Sequence, residues 1–202
     1  MATENINRGS KERKKRLFIG FPLSSEWRKS LKDFGDAQQM AYARWMPEEN
    51  LHLTLFFIGL LSHAGLESLK QDLHQASKRL HTCRLEFQAI TYAPQDGRPK
   101  MVWAQFQQND GFTALSKALY QLVAEKAPQY KLDLSRLALR DEIIPHITMA
   151  RLKDVKRKDL IPPHRPSGVF IPQMLEVNGM ALYESVLNPK GARYHILEEF
   201  RF

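Results

Sequence analysis

The sequence predicts an α+β fold of two similar lobes, each built mainly on antiparallel sheet and each lending one strand to a shared central cleft. Three observations carry this. Strand-like segments outnumber helical ones and often follow one another with no helix between them, which favours antiparallel sheets over a doubly wound parallel fold. Two segments, His52-Leu53-Thr54-Leu55-Phe56-Phe57 and Pro145-His146-Ile147-Thr148-Met149-Ala150-Arg151, repeat one pattern 94 residues apart. Each sits in a strand–helix neighbourhood. The halves do not otherwise align, so any duplication is old or purely structural.

The elements follow in order. Arg16 to Phe21 reads as a strand ended by Pro22. Ser24 or Ser25 can cap a helix whose Trp27, Leu31, Phe34 and Ala41 fall on one side. Leu51 to Ile58 forms the first His strand, stopped by Gly59. Ser62 starts a second helix with Leu66, Leu69, Leu73, Ala76 and Leu80 at helical spacing. Strands at Leu85–Tyr92 and Met101–Phe106 flank a loop holding Pro94, Gly97 and Pro99. Asp110 can cap a third helix ending before Pro128. The second His strand covers Pro145–Leu152, and a basic stretch and a Pro-rich turn come next. Val169 to Tyr183, interrupted at Pro172 and Gly179, and Tyr194 to Phe202 close the chain.

Composition narrows the class. At 202 residues, 43% hydrophobic and 26% charged, the chain can bury a proper core. The apolar run Leu17 to Leu23 is far shorter than the roughly 20 residues of a membrane span. The first residues lack a signal-peptide pattern, and Cys83 has no internal partner for a disulfide, so a cytoplasmic location is expected. Half of the net charge of +8 lies in residues 1–16, where six basic side chains face Glu4 and Glu12. Residues 1–15 read as a flexible basic leader and 16–202 as one domain.

The two His-x-Thr segments carry the chemistry. With seven His and six Thr in 202 residues, chance supplies about 0.2 such pairs. In a strand each His shares a face with its Thr, while Leu53, Leu55, Ile147 and Met149 point the other way. Two facing imidazoles suggest an acid and a base near neutral pH, with Thr hydroxyls for an anion. Phe56 shares the face of His52 and is a candidate for stacking on a nucleobase, with Trp103 as another. Strict alternation puts Arg151 on the face opposite His146, unless a bulge turns it round. The other histidines lack the companion Thr and offer no compact metal-ligand spacing.

The run from Arg44 to Gly59, RWMPEENLHLTLFFIG, resembles the first signature of the two-histidine phosphoesterase superfamily, and Pro145 to Arg151 the second. Arg16 to Pro22, Leu182 to Ser185 and Gly191 to Tyr194 are similar to the terminal segments of one member family, the bacterial RNA 2',3'-cyclic phosphodiesterases, also called 2'-5' RNA ligases. The resemblance covers residues 16–202. It implies a bilobal fold with both motifs facing a groove and helices outside. It also implies His52 as proton donor, His146 as proton acceptor, and Thr54, Thr148 and Arg151 as phosphate contacts, with no metal or cofactor. The implied reaction opens RNA terminal 2',3'-cyclic phosphate to a 2'-phosphomonoester, and no obligate protein partner is implied. The competing readings are 2'-5' linkage or small cyclic nucleotide phosphodiesterase chemistry, and an RNA-end-binding module without turnover. ATP-driven ligation is disfavoured, because no P-loop or nucleotide-activating lysine motif is visible.

Overall fold

The computed structural model describes residues 14–133, 135, 137, 143–153, 156, 159–164, 166–189 and 191–202. Residues 1–13 of the expected leader and most of the basic stretch after Leu152 lie outside them. Among the described residues, nine strands and three α-helices run in the order β1 (Lys14–Pro22), α1 (Ser25–Asp36), β2 (Ala43–Trp45), β3 (His52–Ser62), α2 (His63–Ser77), β4 (Cys83–Ala93), β5 (Met101–Phe106), α3 (Asp110–Tyr130), β6 (His146–Leu152), β7 (Met174–Val177), β8 (Gly179–Asn188) and β9 (Gly191–Arg201).

The strand pairings among the described residues are antiparallel, and they form one curled sheet of order β7-β4-β5-β6-β3-β1-β8-β9, with β2 added to β6. The two expected lobes are its halves. Outward from the middle, one half reads β3, β1, β8, β9 and the other β6, β5, β4, β7. The His strands β3 and β6 meet at the seam, where the ladder holds a single residue pair, Leu53 opposite Ile147. Both side chains are fully buried.

So thin a seam is held by the helices, which cross it. Helix α1 leaves β1 of one half, yet its Trp27 packs against Phe106 of β5 (5.5 Å between ring centroids) and Phe87 of β4 in the other. Helix α3 leaves β5, yet its Tyr120 meets Phe56 of β3 edge-on at 5.8 Å. Each half therefore covers its partner's apolar face, and one continuous core runs beneath both. Burying that shared apolar surface is what fixes the two halves in one orientation.

Several boundaries differ from the sequence reading. Strand β1 begins at Lys14, where pairing with Ser62 extends the ladder into the expected leader. Helix α1, capped by the Ser24 hydroxyl accepting from Trp27 N at 3.3 Å, ends at Asp36, so Ala41 is not on it. Strand β3 runs past Gly59 to Ser62, because a bulge takes up that glycine's positive φ of 93°. The cap of α3 is Asn109 rather than Asp110, its Oδ1 accepting from Phe112 N at 2.9 Å. That helix also continues through Pro128 to Tyr130. A proline in the last turn removes one N–H, and buried Tyr130, whose hydroxyl donates to Asp72 at 2.7 Å, anchors the end.

Candidate active site

The register of the seam decides what faces what. Carrying the antiparallel pairing of Leu53 with Ile147 one step each way sets His52 level with Thr148, and His146 level with Thr54. Leu53 and Ile147 point into the core, so both histidines and both threonines share the opposite face, and all four are partly exposed. Each His thus stands at the cross-strand level of the other segment's Thr.

The imidazoles are held alike. The Nδ1 of His52 lies 2.7 Å from the Asn50 carbonyl oxygen, and that of His146 lies 2.8 Å from the Ile144 carbonyl oxygen. A carbonyl can only accept, so each Nδ1 must carry hydrogen in every protonation state. The exchangeable proton is left to Nε2. In His52 that atom lies 3.1 Å from the Thr54 hydroxyl.

Each ring also rests on an aromatic from the next strand outward. Trp103 of β5 stacks on His146 at 3.7 Å and 18°. Phe18 of β1 lies 4.8 Å from His52 at 35°, itself stacked on Tyr183 of β8, while Tyr194 of β9 meets His52 edge-on at 5.0 Å. Room for the His52 ring comes from Gly20, where a Cβ would stand 3.0 Å from the Leu53 carbonyl oxygen and 3.3 Å from His52 Cδ2. Asn50, almost fully buried, ties β9 to this cluster: its Nδ2 donates to Ala192 O at 2.8 Å and its Oδ1 accepts from Tyr194 N at 3.2 Å.

Burial against these rings pushes His52 down to about 4, outweighing the Asn50 carbonyl, which pulls the other way. A folded-state value below the unfolded 6.5 means that the unfolded chain binds more protons between the two. The stabilisation is therefore complete above about pH 6.5 and is lost as pH falls towards 4. The partly exposed ring limits it to at most ~3 kcal/mol. The stability difference between wild type and His52→Gln should therefore shift against wild type from pH 7 to pH 4. Denaturant unfolding of both proteins at each pH measures this, and a pH-independent difference overturns the burial account.

Bulges decide the rest of the site. In β3, Leu55 has no partner on β1, because Ile19 pairs with Phe56 and Gly20 with Thr54. In β6, Met149 has none on β5, because Val102 pairs with Ala150 and Trp103 with Thr148. One extra residue after each His-x-Thr reverses the alternation that follows. Arg151 is thereby turned onto the His face. It lines a cavity of about 420 Å³ together with His52, Thr54, Thr148, Phe18 and Phe57. His146 is level with Thr54 but is not part of that lining.

The same reversal removes Phe56 from the site. It is 5% exposed, buried in the core against Tyr120, and the aromatic ring that lines the cavity is its neighbour Phe57, 59% exposed. Trp103, the other stacking candidate, is buried beneath His146. The sequence reading missed the Phe18–Tyr183–Tyr194 cluster and Asn50. Asn50 lay within the first signature and Tyr194 within the C-terminal one, but only folding brings them together.

The sequence pattern of the 2'-5' RNA ligase superfamily matches residues 23–186. The chain belongs to that superfamily. Its relatives include the RNA 2',3'-cyclic phosphodiesterase of Thermus thermophilus, 30% identical over 92% of this chain and 89% of the relative. The protein of the same name from Aquifex aeolicus is 28% identical over 92% and 96%. Among solved structures, a Thermus thermophilus protein superposes with a TM-score of 0.74 at 28% identity, covering 92% of this chain and 97% of that one. E. coli LigT complexed with 3'-AMP gives 0.69 at 20% identity, covering 94% and 99%, a likeness of fold. Among the described residues of this superfamily member, no helix is long and apolar enough to cross a membrane, and no group of three or more His, Cys, Asp or Glu is placed to hold a metal ion.

Proposed function

We propose that this enzyme opens RNA terminal 2',3'-cyclic phosphate to a 2'-phosphomonoester, with His52 and His146 exchanging protons at Nε2 and no metal in the reaction. The observation that carries the reading is the pair of imidazoles on adjacent strands, each with Nδ1 tied to a carbonyl, with the His52 Nε2 at the Thr54 hydroxyl. Relatives spanning nine-tenths of the chain bear the name of this activity.

The steps balance. A water oxygen attacks phosphorus, and His146 Nε2 takes the water's proton. The P–O3' bond breaks, and His52 Nε2–H protonates the departing O3', leaving a 2'-phosphate and a 3'-hydroxyl. Solvent then returns a proton to His52 and removes one from His146. Arg151 and the hydroxyls of Thr54 and Thr148 bind the non-bridging oxygens as charge builds on them. Phe57 offers its exposed ring to the terminal base.

As a donor, His52 needs its proton restored at neutral pH, where burial keeps it neutral. The bound phosphodiester supplies the means, since an anion beside an imidazole favours its charged form. One second reading is favoured by specific contacts: His52 as acceptor and His146 as donor. Burial against Phe18, Tyr183 and Tyr194 keeps His52 neutral, the state an acceptor needs.

The test is product analysis on short RNAs ending in 2',3'-cyclic phosphate, with metal chelator present throughout. The expected product is a 2'-phosphomonoester formed at an unreduced rate. A 3'-phosphomonoester overturns the assignment of the bond that breaks. Activity lost to chelator and restored by a divalent ion overturns the metal-free mechanism. Binding of the RNA end without turnover favours the non-catalytic module.

A further inference from the structure

The groove has unlike ends, and a second cavity lined by arginines adjoins one of them. Phe57 and Arg151 each follow their His by five residues, on strands that run in opposite directions, so they fall on opposite sides of the histidine pair. Around Phe57 the lining is mainly apolar and exposed, with Leu60 at 39% and Leu187 at 65%, and Arg16, opposite Leu60, is the charged side chain at that end. Beyond Arg151 lies a separate cavity of about 450 Å³ that shares Met46, Arg151, Ala192 and Tyr194 with the groove. Arg44 and Arg193 also line it, with Glu49 the one acidic side chain among the described lining residues.

The fold assembles these guanidiniums from three strands. Arg44 of β2 stands opposite Arg151 of β6 in register. Gly191, at φ 129°, opens β9 with no side chain where the Arg44 guanidinium lies; a Cβ there would approach its Nη1 to 3.3 Å. The Asn50 bonds to Ala192 and Tyr194 fix the β9 segment that carries Arg193. Arginine forks suit phosphate oxygens, and Arg44 and Arg193 line this cavity, not the one that holds His52, Thr54 and Thr148.

We infer that Arg44 and Arg193, with Arg151 shared, bind the internucleotide phosphate on the 5' side of the terminal nucleotide. The enzyme then prefers an RNA chain end to a free nucleoside 2',3'-cyclic phosphate. The inference rests on the RNA-end reading above. It sets the polarity of the bound strand, with the terminal base towards Phe57 and the chain leaving over the arginines.

The experiment compares wild type, Arg44→Gln, Arg193→Gln and the double variant on three substrates: a nucleoside 2',3'-cyclic phosphate, its 5'-phosphorylated form, and a dinucleotide ending in 2',3'-cyclic phosphate. Each single variant should lose roughly tenfold in kcat/KM on the dinucleotide. On the nucleoside, which has no second phosphate, it should stay within about twofold of wild type. The wild-type preference for the dinucleotide should weaken with salt, and that sensitivity should shrink in the double variant. An equal loss on dinucleotide and nucleoside overturns the inference, as does no loss on either. A loss confined to the 5'-phosphorylated nucleoside overturns the chain-end assignment in favour of a nucleotide site. If wild type turns over none of the three, the catalytic reading has failed; the subsite is then judged by binding of a dinucleotide 2'-phosphate, which the double variant should bind at least tenfold more weakly. Equal binding overturns it.

Discussion

His52→Ala should lower hydrolysis of an RNA 2',3'-cyclic phosphate by roughly 10² to 10⁴-fold, the range one positioned acid or base contributes. His146→Ala should cost a similar factor. The two variants separate on a nitrophenyl phosphodiester, whose leaving group departs without a proton. There the His52 loss should shrink to a small factor, while the His146 loss persists because water must still be activated. The reverse pattern assigns His146 as donor, the outcome that the depressed His52 favours. Equal losses on both substrates leave neither imidazole as the leaving-group acid. A pH profile cannot replace this comparison. A bell in kcat/KM has the same shape whichever imidazole must hold the proton, and its limbs belong to the pair when the two interact. Folding of both variants is checked by their thermal midpoints, which should change far less than their activity.

Phe56→Ala should destabilise the protein by roughly 3–5 kcal/mol, the cost of emptying a core aromatic site, with little change in KM for the folded enzyme. Phe57→Ala should do the opposite. Its ring is 59% exposed, so stability should stay within about 0.5 kcal/mol of wild type. The lost stacking of about 1–3 kcal/mol should raise KM roughly five- to hundredfold on RNA ends. Urea unfolding and steady-state kinetics on the two variants give both numbers. The pair tests the bulge at Leu55 directly, since an unbulged β3 exchanges the two phenotypes. A stability loss in Phe57→Ala matching that of Phe56→Ala is the result that rejects the arrangement.

Residue order was enough to establish the antiparallel α+β class, the two similar halves, the strands carrying His52 and His146, and the face each His shares with its Thr. These follow from local rules: strand alternation, helical spacing and turn residues act within a few positions of one another. The same rules went wrong one residue later. Alternation sent Phe56 into the groove and Arg151 out of it, whereas bulges at Leu55 and Met149 reverse both. A bulge forms because the neighbouring strand's pairing, here with β1 and β5, cannot be kept without an extra residue, and that partner is distant in sequence. Long-range packing likewise set α1 and α3 across each other's halves. It also enclosed His52 among Phe18, Tyr183 and Tyr194, from three separate strands, and gathered Arg44, Arg151 and Arg193 at one end of the groove. The chemical groups were legible because residue identity carries chemistry; their mutual placement was not, because burial of distant apolar surfaces and ladder register set it.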